Sequence, residues 1–138
     1  MFRTLTFAAL AATVFALAFS GASQAQTPLR DHKVINDTLF VAAVGDEIRK
    51  RCDRISARMG VVYSRGQALY RYAQKEGYSK QEISDYLESK PDNDRMKVRR
   101  DAYLAQEGVV KGNAESYCRV GEAEIAAGSS IGELLRRR

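Results

Sequence analysis

The chain has 138 residues and a formal net charge of +5, with one histidine, two cysteines and no tryptophan. This length fits one domain with a modest hydrophobic core. One histidine and two cysteines do not supply the four ligands of a structural zinc site, and a single histidine gives little support to a Ser/His/Asp catalytic arrangement.

The first 25 residues have the layout of a secretory signal peptide. Arg3 is their only charged residue, the apolar run "LTFAALAATVFALAF" follows, and the segment ends on the small residues of "SQA". A basic start, an apolar stretch of roughly 7–15 residues and a small-residue cleavage site define such a signal. We expect cleavage after Ala25 and a periplasmic mature chain, residues 26–138, that forms a single helical domain. An uncleaved N-terminal anchor is the alternative.

The next element is predicted to be a long helix that carries the first cysteine. From Val41 onward, apolar residues recur every three or four positions, which is the spacing of a buried helix stripe. We predict this helix over about residues 34–59, with Asp31 as its cap and Gly60 at its end. Cys52 and Met59 lie on the inward stripe of that pattern, whereas Glu47 falls on its charged outer face.

The second cysteine, Cys118, has the same inward position in a late helix over "NAESYCRVGEAEIAAG". Two facing helices with one sulfur each predict an interhelical disulfide between Cys52 and Cys118, which an oxidising compartment would preserve. In the chain-entropy model such a bridge contributes roughly 4 kcal/mol. Two buried free thiols are the main alternative, because a reactive cysteine needs a positioned base and His32 lies near the mature start.

Two helices are predicted directly after the first. The segment "VVYSRGQALYRYAQKEG" reads as a helix that ends at Gly77. Gly66 in its middle weakens it, which suggests that another helix crosses closely there. Ser79 and Glu82 then form a capping box that opens the short helix "KQEISDYLES".

Pro91 is predicted to break the chain before a helix over "RMKVRRDAYLAQEG", with Asp92 or Asp94 as its cap. The terminal "SSIGELLRRR" is predicted to be a last helical turn opened by a second capping box, Ser130 with Glu133. Strand-like alternation is absent from the sequence. The fold class is therefore predicted as all-α: a small bundle of about five helices clipped by one disulfide.

Seven tyrosines are the most distinctive feature of the composition. Tyr63 and Tyr70 are seven residues apart and share a helix face. Together with Tyr103 they are the candidate residues of a groove for a lipid or aromatic ligand. The alternative is a core built from tyrosine, in which each buried ring needs a partner for its hydroxyl.

Basic residues cluster in "RKRCDRISAR", "KVRR" and "RRR". Such a surface can contact anionic lipid headgroups or an acidic partner protein, and a solvated helix face is the alternative. Nucleic acid is not an expected partner of an exported chain. The carboxylates form no recognisable acid/base pair, so we predict no catalytic residue, no metal site and no cofactor.

Three stretches carry a resemblance to a known family: "LRDHKVINDTLFVAAVGDEIRKRC", "GQALYRYAQKEGYS" and "YCRVGEAEIAAGSSIGELL". They resemble short alphaproteobacterial exported proteins grouped only as a domain of unknown function (family 5333). The resemblance covers nearly all of the mature chain. It implies a helical exported domain with paired cysteines, and it implies no activity and no catalytic residue.

These observations favour a non-enzymatic exported module that binds another envelope protein or an unfolded client. A small binder of lipids or aromatic molecules is the second hypothesis. An enzyme that uses a single carboxylate such as Glu82 or Glu122 is the third. The sequence sets no oligomeric state.

Overall fold

The structure is a computed structural model that describes residues 25–138. The predicted signal peptide, apart from Ala25, lies outside the described residues. Within them the chain forms five α-helices: α1 Lys33–Arg51, α2 Met59–Lys75, α3 Lys80–Glu88, α4 Lys90–Gln106 and α5 Ala114–Ala127. None of these helices combines the length and the apolar character that crossing a bilayer requires.

Two short strands complete the fold. β1, Ile55–Ala57, pairs antiparallel with β2, Leu135–Arg137, near the end of the chain. Two 3-10 helices, Leu29–Asp31 and Gly132–Leu134, precede α1 and β2. The predicted all-α class is confirmed, although the sequence predicted no strand.

The disulfide between Cys52 and Cys118 is also confirmed, with the two Cα atoms 5.0 Å apart. Both cysteines are buried within the main core cluster, which α1, β1, α4, α5 and β2 build together. Val44, Ile48 and Ile55 are fully buried in the same cluster. The bridge therefore ties the end of α1 to α5 through the centre of the molecule.

Several helix ends match their predicted local signals. Ser79 Oγ accepts the amide of Glu82 at 3.1 Å and Glu82 Oε2 accepts the amide of Ser79 at 2.7 Å, which confirms the first capping box. Gly77 and Gly128 follow α2 and α5 with φ angles of +97° and +60°. Glycine adopts this left-handed backbone without steric cost.

The predicted long first helix begins within one residue of its predicted start, but its predicted end and its predicted cap are wrong. α1 ends at Arg51, because Cys52 has an extended backbone and the chain then enters β1 to pair with β2. His32, rather than Asp31, is the residue whose side chain faces the first turn. A new helix begins at Met59, so the inward pattern does not continue across this break.

The predicted start of α4 is also wrong. Ser89 caps the helix by accepting the amide of Asp92, and Pro91 lies in its first turn. Proline is tolerated there because the first amides of a helix have no partner within the helix. Neither Asp92 nor Asp94 is the cap.

The predicted last helical turn is present only as the 3-10 helix Gly132–Leu134, and its predicted capping box and its predicted end are wrong. The hydroxyl of Ser129, not that of Ser130, accepts the amide of Gly132 at 2.9 Å. Leu134 and Leu135 are both buried against the core, and the chain extends from there into β2. Pairing with β1 replaces the helix that the local sequence suggested.

The close helix crossing predicted at Gly66 is absent. Gly66 is exposed in the middle of α2, and a Cβ atom added there would meet nothing within 4 Å. A very close backbone approach occurs instead at Gly132, where an added Cβ would lie 2.0 Å from the carbonyl oxygen of Glu124 in α5.

Candidate functional site

The two cysteines form a buried disulfide and have a structural role. Their sulfurs lie in the core, and the carboxylate of Asp53 is near them. A disulfide offers no thiolate, which is the form of cysteine that binds metals and attacks substrates. The oxidised pair therefore supplies cross-linking and no chemistry.

The three candidate tyrosines lie in different surroundings. Tyr63 projects from α2 and is 69% exposed. Tyr70 packs against a second cluster at the other end of the molecule, built around Leu29, Ile35, Ala73, Tyr78 and Ile83. Tyr103 packs against the main cluster. These side chains therefore do not line one groove.

Tyr103 shows how the partly buried rings are held. It stacks edge-to-face on Phe40 with ring centroids 5.4 Å apart, and its hydroxyl donates to Glu124. Burial, followed by the hydrogen bond with Glu124, raises the pKa of Tyr103 well above its ordinary value. This is the behaviour expected of a core tyrosine with a satisfied hydroxyl.

The surface of α2 is the most unusual feature of the described chain. Met59, Tyr63 and Gly66 are all exposed and are spaced four and three residues apart, so they lie along one side of the helix. We call this row the α2 stripe. Ala73 is the one residue of α2 that is buried. α2 therefore packs against the rest of the protein through one partly buried side, and the stripe is exposed to solvent.

An apolar cleft adjoins the start of the stripe. It has a volume of about 90 Å³, and its apolar walls come from α1, β1, α2 and the C-terminal segment: Ala42, Gly45, Ala57, Met59, Val62, Leu134 and Leu135. Met59 is 65% exposed at its rim. We call it the Met59 cleft. Met59 belongs to both the stripe and the cleft, so the two surfaces meet at its side chain.

Basic side chains border this surface. Arg49 lines the cleft and is paired with Asp46 at 2.6 Å. Arg58, directly before α2, donates to the carbonyl oxygen of Glu133 at 3.3 Å. This partner is a neutral backbone group, so the contact does not neutralise the charge of Arg58. Arg65 pairs with Glu133, and Arg71 is exposed further along the helix. The border is therefore predominantly positive.

The two carboxylates that the sequence suggested for catalysis, Glu82 and Glu122, interact with other groups of the protein. Glu82 is exposed in the capping box of α3, and the hydrogen bonds from Ser79 lower its pKa. Glu122 is half-buried and lies 3.6 Å from Arg54. Glu82 therefore lacks the raised pKa that a general acid needs near neutral pH.

Two carboxylates are buried, and the sequence pattern identified neither. Glu47 was predicted on the charged outer face of the first helix, and Asp92 was predicted as a cap. Asp92 Oδ1 accepts from Arg95 at 2.8 Å. Glu47 forms ion pairs with Arg51 at 2.9 Å and with Arg100 at 3.2 Å. The one available signal for Glu47 was an arginine four residues later.

Comparison with protein families identifies the chain. The model of a family of unknown function (DUF5333) matches residues 27–136, and the protein belongs to that family. Comparison with curated proteins and with solved structures gave no match.

Proposed function

We propose that this protein is an exported, non-enzymatic interaction module that binds an acidic, partly apolar segment of another envelope protein. The binding surface is the α2 stripe with the adjoining Met59 cleft. The observation that carries the proposal is the exposure of Met59 and Tyr63, at 65% and 69%, on successive turns of one helix.

Exposed apolar residues are ordinary when they are scattered singly, whereas a contiguous patch beside a cleft is typical of an interaction site. Methionine adapts its shape to different partners, and tyrosine is enriched at interface hot spots. Met59 lines the cleft together with Leu134 and Leu135, and Tyr63 follows one helix turn later on the exposed stripe. An amphipathic segment can bury its apolar face on this surface.

The charge of the partner follows from the basic border. Arg58 and Arg71 flank the stripe, so a segment with Asp or Glu beside its apolar residues is attracted and a basic segment is repelled. The scattered arginines elsewhere also permit peripheral contact with anionic lipids. That contact would be diffuse, because it lacks an apolar surface of comparable size.

The binding half of the proposal is tested with two labelled amphipathic peptides that share a leucine face and carry either glutamates or lysines. Fluorescence anisotropy should show binding of the glutamate peptide only. The M59S/Y63S variant should weaken its affinity at least about tenfold, since both side chains lie at the centre of the patch. Both substituted residues are themselves mostly exposed, so unfolding in urea should change little.

The matched control is L87S/V98S, because Leu87 and Val98 are 50% and 71% exposed and lie on α3 and α4. This variant should bind the glutamate peptide within about twofold of the unsubstituted protein, as surface changes outside a hot spot do. Equal losses in both double variants, equal binding of the lysine peptide or no binding of either peptide would contradict the proposed surface.

The export half rests on the signal-like first 25 residues and on the disulfide, which persists in oxidising compartments. The full-length chain, produced in a Gram-negative host, should appear in the periplasmic fraction with a mass that begins at Gln26. The F15D variant, which places a charge in the apolar run, should stay uncleaved inside the cell. A full-length, membrane-bound product of the unsubstituted chain would instead support the anchor alternative.

A further inference from the structure

A second cavity, of about 430 Å³, lies on the opposite face of α1 from the Met59 cleft. Glu47 and Arg51 of α1, Arg100 of α4 and Tyr117 of α5 supply its polar lining. We call it the Glu47 pocket. Its volume falls within the range of roughly 300–1,000 Å³ that small-molecule sites occupy, and its apolar wall comes from Leu104, Ala105 and Val109.

The polar lining is held rigidly around Glu47. Arg51 Nε donates to Glu47 Oε1 at 2.9 Å, and Arg100 Nη1 lies 3.2 Å from Glu47 Oε2. Arg100 also pairs with Asp101 at 2.7 Å, and its side chain is mostly buried. Both oxygens of Glu47 are therefore engaged, and both guanidinium groups are fixed at the pocket.

The pocket keeps an excess of positive charge. Lys111 also lines it, so three cations face the two carboxylates of Glu47 and Asp101. A guanidinium has five N–H donors, and Glu47 takes one of them from Arg51. Donors remain for an anion that enters the cavity.

Tyr117 is the second, independent observation. Its side chain is in the core and only 6% exposed, yet its hydroxyl makes no hydrogen bond to any described residue. The hydroxyls of Tyr78, Tyr86 and Tyr103 all donate to protein oxygens. No fully buried side-chain oxygen is unsatisfied in the described chain, so the hydroxyl of Tyr117 reaches the open pocket that its side chain lines.

We propose that the Glu47 pocket binds a small organic anion with an apolar body, such as a medium-chain or aryl carboxylate. The acid group meets Arg51, Arg100 and Lys111 and accepts a hydrogen bond from the hydroxyl of Tyr117. The apolar body lies along Leu104 and Val109. This site is separate from the α2 stripe, and binding to it does not depend on the proposed interaction function.

The test uses octanoate, with octylamine and 1-octanol as probes of the same chain length. In ¹H–¹⁵N spectra of the oxidised protein, octanoate should produce saturable shifts at the amides of residues 100–111 and 117. Octylamine and octanol should not, because they lack the negative charge. Y117F removes a single oxygen and should weaken octanoate binding about tenfold, as the loss of a hydrogen bond to a charged group does.

Y103F is the matched control for the loss of a tyrosine hydroxyl. It removes the donor to Glu124 outside the pocket, so octanoate should bind with unchanged affinity. Y117F should unfold at the same urea concentration as the unsubstituted protein, because its hydroxyl has no protein partner to lose. Y103F should unfold at a lower concentration, because Glu124 loses a hydrogen bond.

Three results would overturn the proposal. One is the absence of saturable shifts at millimolar octanoate. Another is that octylamine or octanol produces the same saturable shifts as octanoate, which would mean that the pocket binds apolar chains without selecting an anion. The third is unchanged octanoate affinity in Y117F, which would remove the hydroxyl from the site.

Discussion

Replacing both cysteines by alanine is expected to lower the free energy of unfolding by about 4 kcal/mol, a large share of the roughly 5–15 kcal/mol that folded proteins possess. The bridge joins residues 66 positions apart, and its loss frees a long loop in the unfolded chain. It also leaves small cavities in the core, because both sulfurs are buried between α1, β1 and α5. Urea unfolding of the C52A/C118A variant measures the loss.

Reduction of the unsubstituted protein is the control. With an excess of reductant its unfolding curve should move to that of C52A/C118A, whereas the curve of the variant should stay in place. A change below about 1 kcal/mol in both cases would mean that the core closes without the bridge, and the chain-entropy account would then fail for this protein.

The second large effect is expected at Gly132, just before β2. A Cβ atom there would lie 2.0 Å from the carbonyl oxygen of Glu124 and 2.8 Å from the amide nitrogen of Ile125. Both atoms belong to the backbone of α5, so a side-chain rotation cannot relieve the clash. We expect G132A to lower the free energy of unfolding by about 3 kcal/mol or more, at the upper end of overpacking effects.

G66A makes the same chemical change at an open position and serves as the control. No atom lies within 4 Å of a Cβ added to Gly66, and alanine in a helix interior is more favourable than glycine by roughly 0.5–1 kcal/mol. G66A should therefore raise the free energy of unfolding while G132A lowers it. Equal effects of the two substitutions in urea unfolding would contradict the close approach of Gly132 to α5.

The parts of the fold that the sequence predicts well are those set by local signals. The capping box at Ser79 and the terminal glycines Gly77 and Gly128 act within a few residues, and they appear where their patterns predict. The disulfide was also predictable, because Cys52 and Cys118 each stand in a periodic apolar context. Such signals need no knowledge of the rest of the chain.

The missed parts depend on residues far apart in the chain. Each strand has three residues, too few for a period of two to emerge, and the pairing of Ile55 with Arg137 crosses most of the molecule. Ile55 is buried because β1 places its side chain in the core. That it also fits the three-or-four-residue spacing of the first helix is a coincidence. Tertiary pairing therefore overrode the local preference for helix on both sides.

The candidate sites were missed for the same reason. Met59 was predicted to face inward, but the break after Arg51 lets α2 start with a new orientation, and Met59 becomes exposed. Glu47 was predicted to face solvent, but Arg100 from α4 covers it. Periodicity predicts on which face of its own helix a residue lies. It does not predict which side chain of another helix will pack against that residue.

The pairing of β1 with β2 sets the timing of folding. Ser56 and Arg136, which are paired across the two strands, lie 80 positions apart, and the amide of Arg138 also donates to the carbonyl oxygen of Arg54 at 2.9 Å. Contacts between residues so far apart in the chain form slowly, because a long loop has to close first. The closing of the core by Ile55 and Leu135, which these two strands supply, is therefore expected to be a late step of folding.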